Sequence, residues 1–349
     1  MIDWLWKRVK LFFKLWWAKR QKDYKPIVAL LFLTSRCNMS CLYCFAEHKG
    51  EFKDLSLGQW KEIINGLRER GCELIFLMGG EPLLYEGFGE LIDYIKSKGM
   101  QCHLTTNGIL IPKYVEELKK VDLLMVSLDG DKKGNDANRG KETFKKILRG
   151  IECAKAHNIP LRINSVMSKN NVNDIEWLLN YGKGLGAYVG FTIPARSKNP
   201  GGVKDMLLTD EEIKNFHLKL LYLKELGEKI TLSKKSLMHV LGYKKSYNEL
   251  IFRNESLANN YPEECCYGRY IVFIDSRGSI YPCTTLWEMS EVYEPKNIFE
   301  RGWDEALRNA QYLPCHVCYC AGGIEWSYMS SFKGIIHALK FTLSQTRGK

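Results

Sequence analysis

The chain predicts an α/β fold: an open, partial barrel of six strand–helix units, with an amphipathic helix before it and a small cysteine-rich hairpin and helix module after it. Three observations predict it. Apolar strand-like runs alternate with helix-like segments from residue 26 to about 194, the pattern of a parallel sheet with right-handed crossovers. Polar clusters follow the strand candidates, at the carboxyl ends where such folds collect function. Cysteines bunch at two places, three between 37 and 44 and six between 265 and 320.

The bulk composition narrows the class. A chain of 349 residues, 45% hydrophobic and 26% charged, has ample apolar surface for a core, enough for two domains or one large barrel. The formal charge of +11 suits an anionic partner. Nucleic acid is not expected, because no RNA module or basic stripe with interleaved aromatics is present. Lysines interrupt the N-terminal apolar residues and no small-residue cleavage site follows, so no signal peptide is read. The twelve cysteines are therefore expected to be reduced, intracellular thiols, metal-binding rather than disulfide-bonded.

In chain order, residues 1–22 read as a helix lying at a membrane interface. At 100° per residue Leu5, Trp6, Val9, Phe12, Phe13, Trp16 and Trp17 share one broad face, flanked by Lys7, Lys10 and Lys14 on one side and Arg8 and Lys19 on the other. Tryptophans with cationic flanks suit headgroup depth, and the apolar runs are too short to span a bilayer. The expected location is cytoplasmic, peripheral on the inner face of the cell membrane.

The strand candidates of the core, residues 26–230, are 27–35, 73–79, 101–108, 122–130, 161–167 and 187–194. Helical patterns lie roughly at 56–70, 87–98, 112–120, 141–157 and 171–184, and a charged helix follows at about 210–228. Residues 231–264 read as a linker. The segment 265–283 reads as a β-hairpin around "DSRG" and opens a module reaching residue 330, and 331–349 reads as a basic helix. Cys72, Cys102 and Cys153 read as plain buried thiols.

The stretch "RCNMSCLYCFAEH" spaces Cys37, Cys41 and Cys44 as C-x3-C-x2-C. Zinc sites favour four ligands in CxxC or His pairs, and His48 is a possible fourth. Three thiolates suit a four-iron cluster with one iron left open. With "GGEP" after the second strand and the six-unit alternation, this triplet resembles the radical S-adenosylmethionine (radical SAM) superfamily over residues 27 to about 194. The resemblance implies a TIM-like partial barrel in which Cys37, Cys41 and Cys44 hold a 4Fe–4S cluster and S-adenosylmethionine chelates the open iron. Reductive cleavage would give a 5′-deoxyadenosyl radical that abstracts hydrogen, with an electron donor such as ferredoxin or flavodoxin. The cofactor supplies the hard chemistry, and the protein positions it.

The same resemblance implies a cofactor-binding rim. Gly79 and Gly80 would let backbone approach the methionine amino group, and Glu81 would balance positive charge. Thr105, Thr106 and Asn107 supply short polar side chains. Ser127 and Asp129 suit ribose or the methionine moiety, and Asn164 and Ser165 resemble ribose and carboxylate contacts. Arg139 would pair with the carboxylate, Tyr43 would sit near the adenine, and Phe191 would line its pocket.

In the C-terminal module, Cys266, Gly278 and Cys283 resemble the opening of the SPASM/twitch auxiliary-cluster domain. Its seven-cysteine pattern is not completed, since no cysteine follows Cys320. The implied ligands of one auxiliary 4Fe–4S cluster are Cys266, Cys283, Cys315 and Cys318, with Cys320 a near-equal substitute and Cys265 also at hand. Structural zinc is the alternative. From the N-terminal helix, the substrate is expected to be a membrane lipid chain undergoing C–C bond formation or modification. A ribosomally made peptide comes second and a non-catalytic metal scaffold last.

Overall fold

The structure, a computed structural model, describes residues 2–44, 53–194, 204–247, 249–261, 265–287, 289 and 291–336. After α1 (Ile2–Gln21) come β1 (Val28–Phe32), α2 (Leu57–Glu69), β2 (Leu74–Met78), α3 (Phe88–Ser97), β3 (Gln101–Thr106), α4 (Val115–Leu118), β4 (Leu123–Ser127), α5 (Lys132–Arg139), α6 (Thr143–Ala156), β5 (Leu161–Val166), α7 (Ile175–Leu185) and β6 (Val189–Thr192). Each expected core strand is present and pairs in parallel with the next, from Val28 opposite Leu74 to Ile163 opposite Val189.

The alternation along the strands sorts the two faces. Ala29, Leu31, Ile75, Leu77, Cys102, Leu104, Leu124, Val126 and Ile163 pack outward against the helices. The helices answer with residues at i, i+3, i+4 and i+7: Trp60, Ile63, Ile64 and Leu67 of α2 are fully buried. Ser56 and Gln59 close the start of α2 with a capping box, satisfying amides that the first turn leaves open. Cys72 and Cys102 are core thiols, as expected, and Cys153 is half-buried.

Downstream lie α8 (Asp210–Glu225), α9 (Lys234–Leu241), β7 (Ile251–Phe252), β8 (Ile271–Ile274), β9 (Ser279–Tyr281), α10 (Thr284–Trp287), β10 (Lys296–Asn297), α11 (Ile298–Gln311), β11 (Cys315–Val317) and α12 (Ala321–Met329). The β8–β9 hairpin is where the sequence places it. Asp275 Oδ1 accepts from the amides of Arg277 and Ser279, and Gly278 takes φ +88°, the left-handed conformation glycine tolerates. The hairpin is not detached from the barrel. β8 runs parallel to β1, with Val28 opposite Ile271, and the strands form one nine-stranded sheet in the order β10-β9-β8-β1-β2-β3-β4-β5-β6.

Two expectations are corrected. Residues 231–264 are more than a linker: Val240 of α9, Ile251 of β7, and Tyr243, Tyr247 and Tyr261 from the segments beside them form a small core with Val317 and Ile324. Tyrosines scattered without period 2 or 3.6 carry no pattern signal, so this packing was invisible locally. α1 is also not a helix whose whole apolar face is offered to lipid. Leu11, Phe12, Leu15 and Ala18 are buried against Ile27, Val28, Leu74 and Ile271 under the barrel. Lys14 Nζ donates to Gly71 O and Glu73 Oε1, each at 2.7 Å, and Lys10 stands 3.4 Å from Glu73. Trp6, Phe13 and Trp17 remain 66%, 53% and 51% exposed. No helix among the described residues is long and apolar enough to cross a membrane. The expected linker 195–202, most of the basic tail (337–349) and His48 lie outside the described residues.

Candidate functional site

The site is built at the carboxyl ends of β1 to β5, and backbone contacts explain its glycines. Gly80 N donates to Thr34 O and Glu81 N to Arg36 O, each at 2.8 Å, so the turn after β2 grips the segment leading into Cys37. A Cβ on Gly80 would stand 2.4 Å from Arg36 O, and one on Gly79 2.9 Å from Thr34 O. Only glycine fits so close an approach of two backbones.

Glu81 does something other than the expected balancing of positive charge. Its Oε1 accepts from Leu83 N at 3.1 Å and Thr106 Oγ1 at 2.8 Å, and its Oε2 from Asn107 N at 2.8 Å. The carboxyl is fully buried, and burial pushes its pKa up to about 7 against these three donors. Asn107 Nδ2 in turn donates to Asn38 Oδ1 at 2.7 Å. Glu81, Thr106 and Asn107 thus form one polar strut that ends on the cysteine loop.

A second strut holds the loop from the other side. Asp129, fully buried, accepts from Tyr43 Oη at 2.5 Å, from Arg139 Nη2 at 3.1 Å and from Val166 N at 2.9 Å. Arg139 Nε lies 2.9 Å from its other oxygen, and the guanidinium sits 5.6 Å over the Tyr43 ring. Burial alone would depress the Arg139 pKa, but Asp129 reverses the direction and holds it above the ordinary value. Burial, with Asp129 adding, raises the Tyr43 phenol well above its own. Asp129, Arg139 and Tyr43 therefore face one another in this structure.

The remaining rim residues divide by strand parity. Thr105, Ser127 and Asn164 share the inward-facing parity of His103, Met125 and Arg162, and all three are half-buried. Ser165 and Phe191 lie on the outward face. Ser165 is buried with its hydroxyl on Met167 Sδ at 3.0 Å, and Phe191 packs edge-on against Phe216 of α8. Their expected contacts with ribose and adenine are corrected on that ground: a period-2 strand cannot aim neighbouring side chains at one ligand.

Sequence reasoning missed several residues that brace the site. Asp54 accepts from Thr34 Oγ1 at 2.6 Å and Ser35 N at 3.2 Å. Asn138 O accepts from Leu42 N at 3.0 Å. Asn171 donates to Asp129 O and, at 2.9 Å, to Val166 O. α5, on which Asn138 and Arg139 lie, has no apolar periodicity. Its signal is the N-cap Asp131, which accepts from the amides of Lys133 and Gly134.

All twelve cysteines are thiols. Cys37, Cys41 and Cys44 are half-buried on the braced loop, where Cys44 N donates to Cys41 O at 3.2 Å. Among the described residues no three His, Cys, Asp or Glu side chains are already drawn into a metal-sized group. The donor set nevertheless fits iron, being three soft thiols on a backbone pinned from both sides.

At the second cluster the structure changes one assignment. Cys266 is turned away: its Sγ is 3.3 Å from Ser330 Oγ, its amide donates to Ser327 Oγ, and it is buried beside Leu11 and Phe12. Cys265, its neighbour, is near enough to the other thiols to be acted on by them. Burial raises the Cys265 pKa well above the ordinary thiol value, with Cys315 and Cys283 adding to the effect. Cys283 is likewise pushed up to about 12, by burial and then Cys315. Cys318 and Cys320 share a side-chain hydrogen bond that raises the first and lowers the second. The thiols near enough to act on one another are Cys265, Cys283, Cys315, Cys318 and Cys320.

Comparisons with known proteins agree with this geometry. Residues 31–181 match the family profile described as the Radical SAM superfamily. The chain is 38% identical over 160 residues to Fe-coproporphyrin III synthase of Methanosarcina barkeri, covering 44% of this chain but 40% of that relative. It is 27% identical over 320 residues to AdoMet-dependent heme synthase of the same organism, covering 83% of this chain and 88% of the relative. In fold it is similar to Streptococcus suis SuiB bound to precursor peptide SuiA, with TM-score 0.66 and 18% identity over 90% of this chain and 76% of that one.

Proposed function

From the match of residues 31–181 to the radical SAM superfamily, we propose that the chain is a radical SAM enzyme and that Cys37, Cys41 and Cys44 hold its 4Fe–4S cluster. The observation that carries this is the double bracing of the cysteine loop, by Gly80, Glu81 and Asn107 on one side and Asp129, Tyr43 and Asn138 on the other. Once loaded, the cluster supplies reductive cleavage of S-adenosylmethionine to a hydrogen-abstracting 5′-deoxyadenosyl radical, its electron coming from a ferredoxin- or flavodoxin-class donor. The protein's part is positional. The two struts fix the loop, while Thr105, Ser127 and Asn164 offer short polar groups to the cofactor from inside the barrel.

The thiols of Cys265, Cys283, Cys315 and Cys318, with Cys320 as substitute, are proposed to hold one auxiliary 4Fe–4S cluster. The likeness to SuiB in fold supports this reading, and so does the convergence of these thiols beside Tyr267, whose pKa burial and then the Cys320 thiol raise.

For substrate, the reading best supported is a C–H bond on a tetrapyrrole side chain. The relative named as a heme synthase aligns far beyond the barrel, through 83% of this chain. A peptide substrate is the second reading, supported by the SuiB likeness. The lipid-chain reading rested on α1 lying in a bilayer, and its Leu11, Phe12 and Leu15 are committed to the barrel floor instead. Peripheral contact with the inner membrane face remains a proposal about location, supported by the exposed Trp6, Phe13 and Trp17. Its test is salt-sensitive sedimentation with anionic liposomes, and no binding at low salt would end it.

The test of the main reading uses anaerobically reconstituted, reduced protein with S-adenosylmethionine. 5′-Deoxyadenosine is expected to form, to rise when Fe-coproporphyrin III is added with a mass change in the porphyrin, and to vanish in Cys41→Ala. Full cleavage by Cys41→Ala would refute the cluster assignment. Unchanged porphyrin would refute the tetrapyrrole reading alone.

A further inference from the structure

The amino-terminal mouth of the barrel, opposite the rim, encloses a cavity of about 200 Å³. Its walls come from the first residues of the strands, among them Gln101 of β3 and Arg162 of β5, and its floor from α1 and α12. Nothing in the radical chemistry uses it.

Three buried polar side chains in this cavity have atoms left unpaired among the described residues. His103, 5% exposed, has no hydrogen-bond partner on either ring nitrogen. Gln101, 3% exposed, has none on Oε1. Glu325 of α12, 8% exposed, has its Oε2 held by Ser233 N at 2.8 Å and Ser236 Oγ at 2.6 Å, yet none on Oε1. Arg162, half-buried, donates to Asn164 Oδ1 and Met125 Sδ, and no carboxylate among the described residues pairs with it. Buried polar atoms in native proteins almost always have a partner. Three such groups around one space, with the guanidinium groups of Arg8 and Arg162 also lining it, mark a site completed by a ligand.

The kinds of group define that ligand. Arg162 asks for an anion. Glu325 Oε1 and Gln101 Oε1 are acceptors and ask for a donor, best a cationic one. His103 is kept neutral by burial, with Arg8 and Arg162 adding to the effect, so its ring offers one donor and one acceptor. Phe12, Phe76 and Trp326 supply apolar wall between the polar groups. A simple anion would leave both acceptors unsatisfied and face Glu325, and a simple cation would face Arg162. We infer that the cavity beneath the barrel binds a small zwitterion with an apolar body, an α-amino acid, its carboxylate on Arg162 and its ammonium on Glu325 and Gln101. Such a ligand ties α1, the barrel and α12 together, and α12 begins next to Cys320 of the second thiol cluster.

The test is equilibrium binding to the full-length protein, by calorimetry and by ligand-dependent thermal shift. The probes are L-alanine, L-valine and L-leucine, with 4-methylpentanoate and 3-methylbutylamine as leucine lacking one charged group. Saturable binding of at least one amino acid is expected. The two single-charge analogues should bind leucine's site about 10-fold more weakly or worse, the loss of one charge-assisted hydrogen-bonding group. Arg162→Met and Glu325→Gln should each weaken amino-acid binding by a similar factor while keeping a cooperative melt. The analogue comparison stands on unmutated protein, so it decides even where a variant fails to fold. Absence of saturable binding by all three amino acids would overturn the inference, as would equal affinity for 4-methylpentanoate or undiminished binding in both variants.

Discussion

At the scale of single residues, Asp129 and Glu81 do the holding that the sequence assigned to cofactor contact. Asp129 is the counter-ion of a fully buried Arg139. Asp129→Asn should therefore destabilise the protein by about 3–5 kcal/mol, the cost of leaving one buried charge uncompensated. Tyr43→Phe, which removes one hydrogen bond to a charged acceptor, should cost about 1.5–3 kcal/mol. Denaturant unfolding measures both, and equal, near-zero effects would remove the strut from the account. Glu81 predicts a pH signature. Its folded pKa of about 7 is raised by burial above an unfolded value of about 4.3. A carboxyl shifted upward contributes stability below the unfolded pKa that is lost as pH rises through the folded one. Wild-type stability should fall between about pH 4.5 and 7, by on the order of 3 kcal/mol from this residue. Glu81→Gln should abolish that slope, and an unchanged slope would contradict the burial argument.

At the scale of elements, α1 is a structural part of the barrel floor. Truncating residues 1–22 removes the buried Leu11, Phe12 and Leu15, each worth about 1.5–3 kcal/mol. That sum approaches the whole stability of a typical domain. A steep loss of thermal stability is expected in the truncated protein, read by circular dichroism, and an unchanged melt would contradict the docking. The helix also shows what was legible in the chain. Its amphipathicity was plain, but burial in lipid and burial in protein make the same stripe at 100° per residue. Only Glu73, far away in sequence, and the salt bridge it makes with Lys14 separate them. The barrel strands were legible because each is an apolar run bounded by turn residues. α5 and residues 231–264 were not, because polar caps and tyrosine packing hold them. The rim motifs were found, but not which way Ser165, Phe191 and Cys266 point, since one step along an extended chain reverses the side chain.

At the scale of the molecule, the nine-stranded sheet leads to the three-thiol loop and to Cys265 and Cys283, while Cys315 lies on β11 of the separate two-stranded sheet. The three-thiol loop leaves the carboxyl end of β1, and the strand beside β1 is β8, the first strand of the hairpin that ends at Cys283. The central claim is that the two sites load independently with iron. It is tested most directly by counting iron and acid-labile sulfide in anaerobically reconstituted protein. The account predicts about eight irons per chain, and about four in each of two variants, Cys37/Cys41/Cys44→Ala and Cys265/Cys283/Cys315/Cys318→Ala, with Cys266→Ala keeping the full eight. Iron unchanged in the first variant, or zinc in place of the iron it retains, would contradict it.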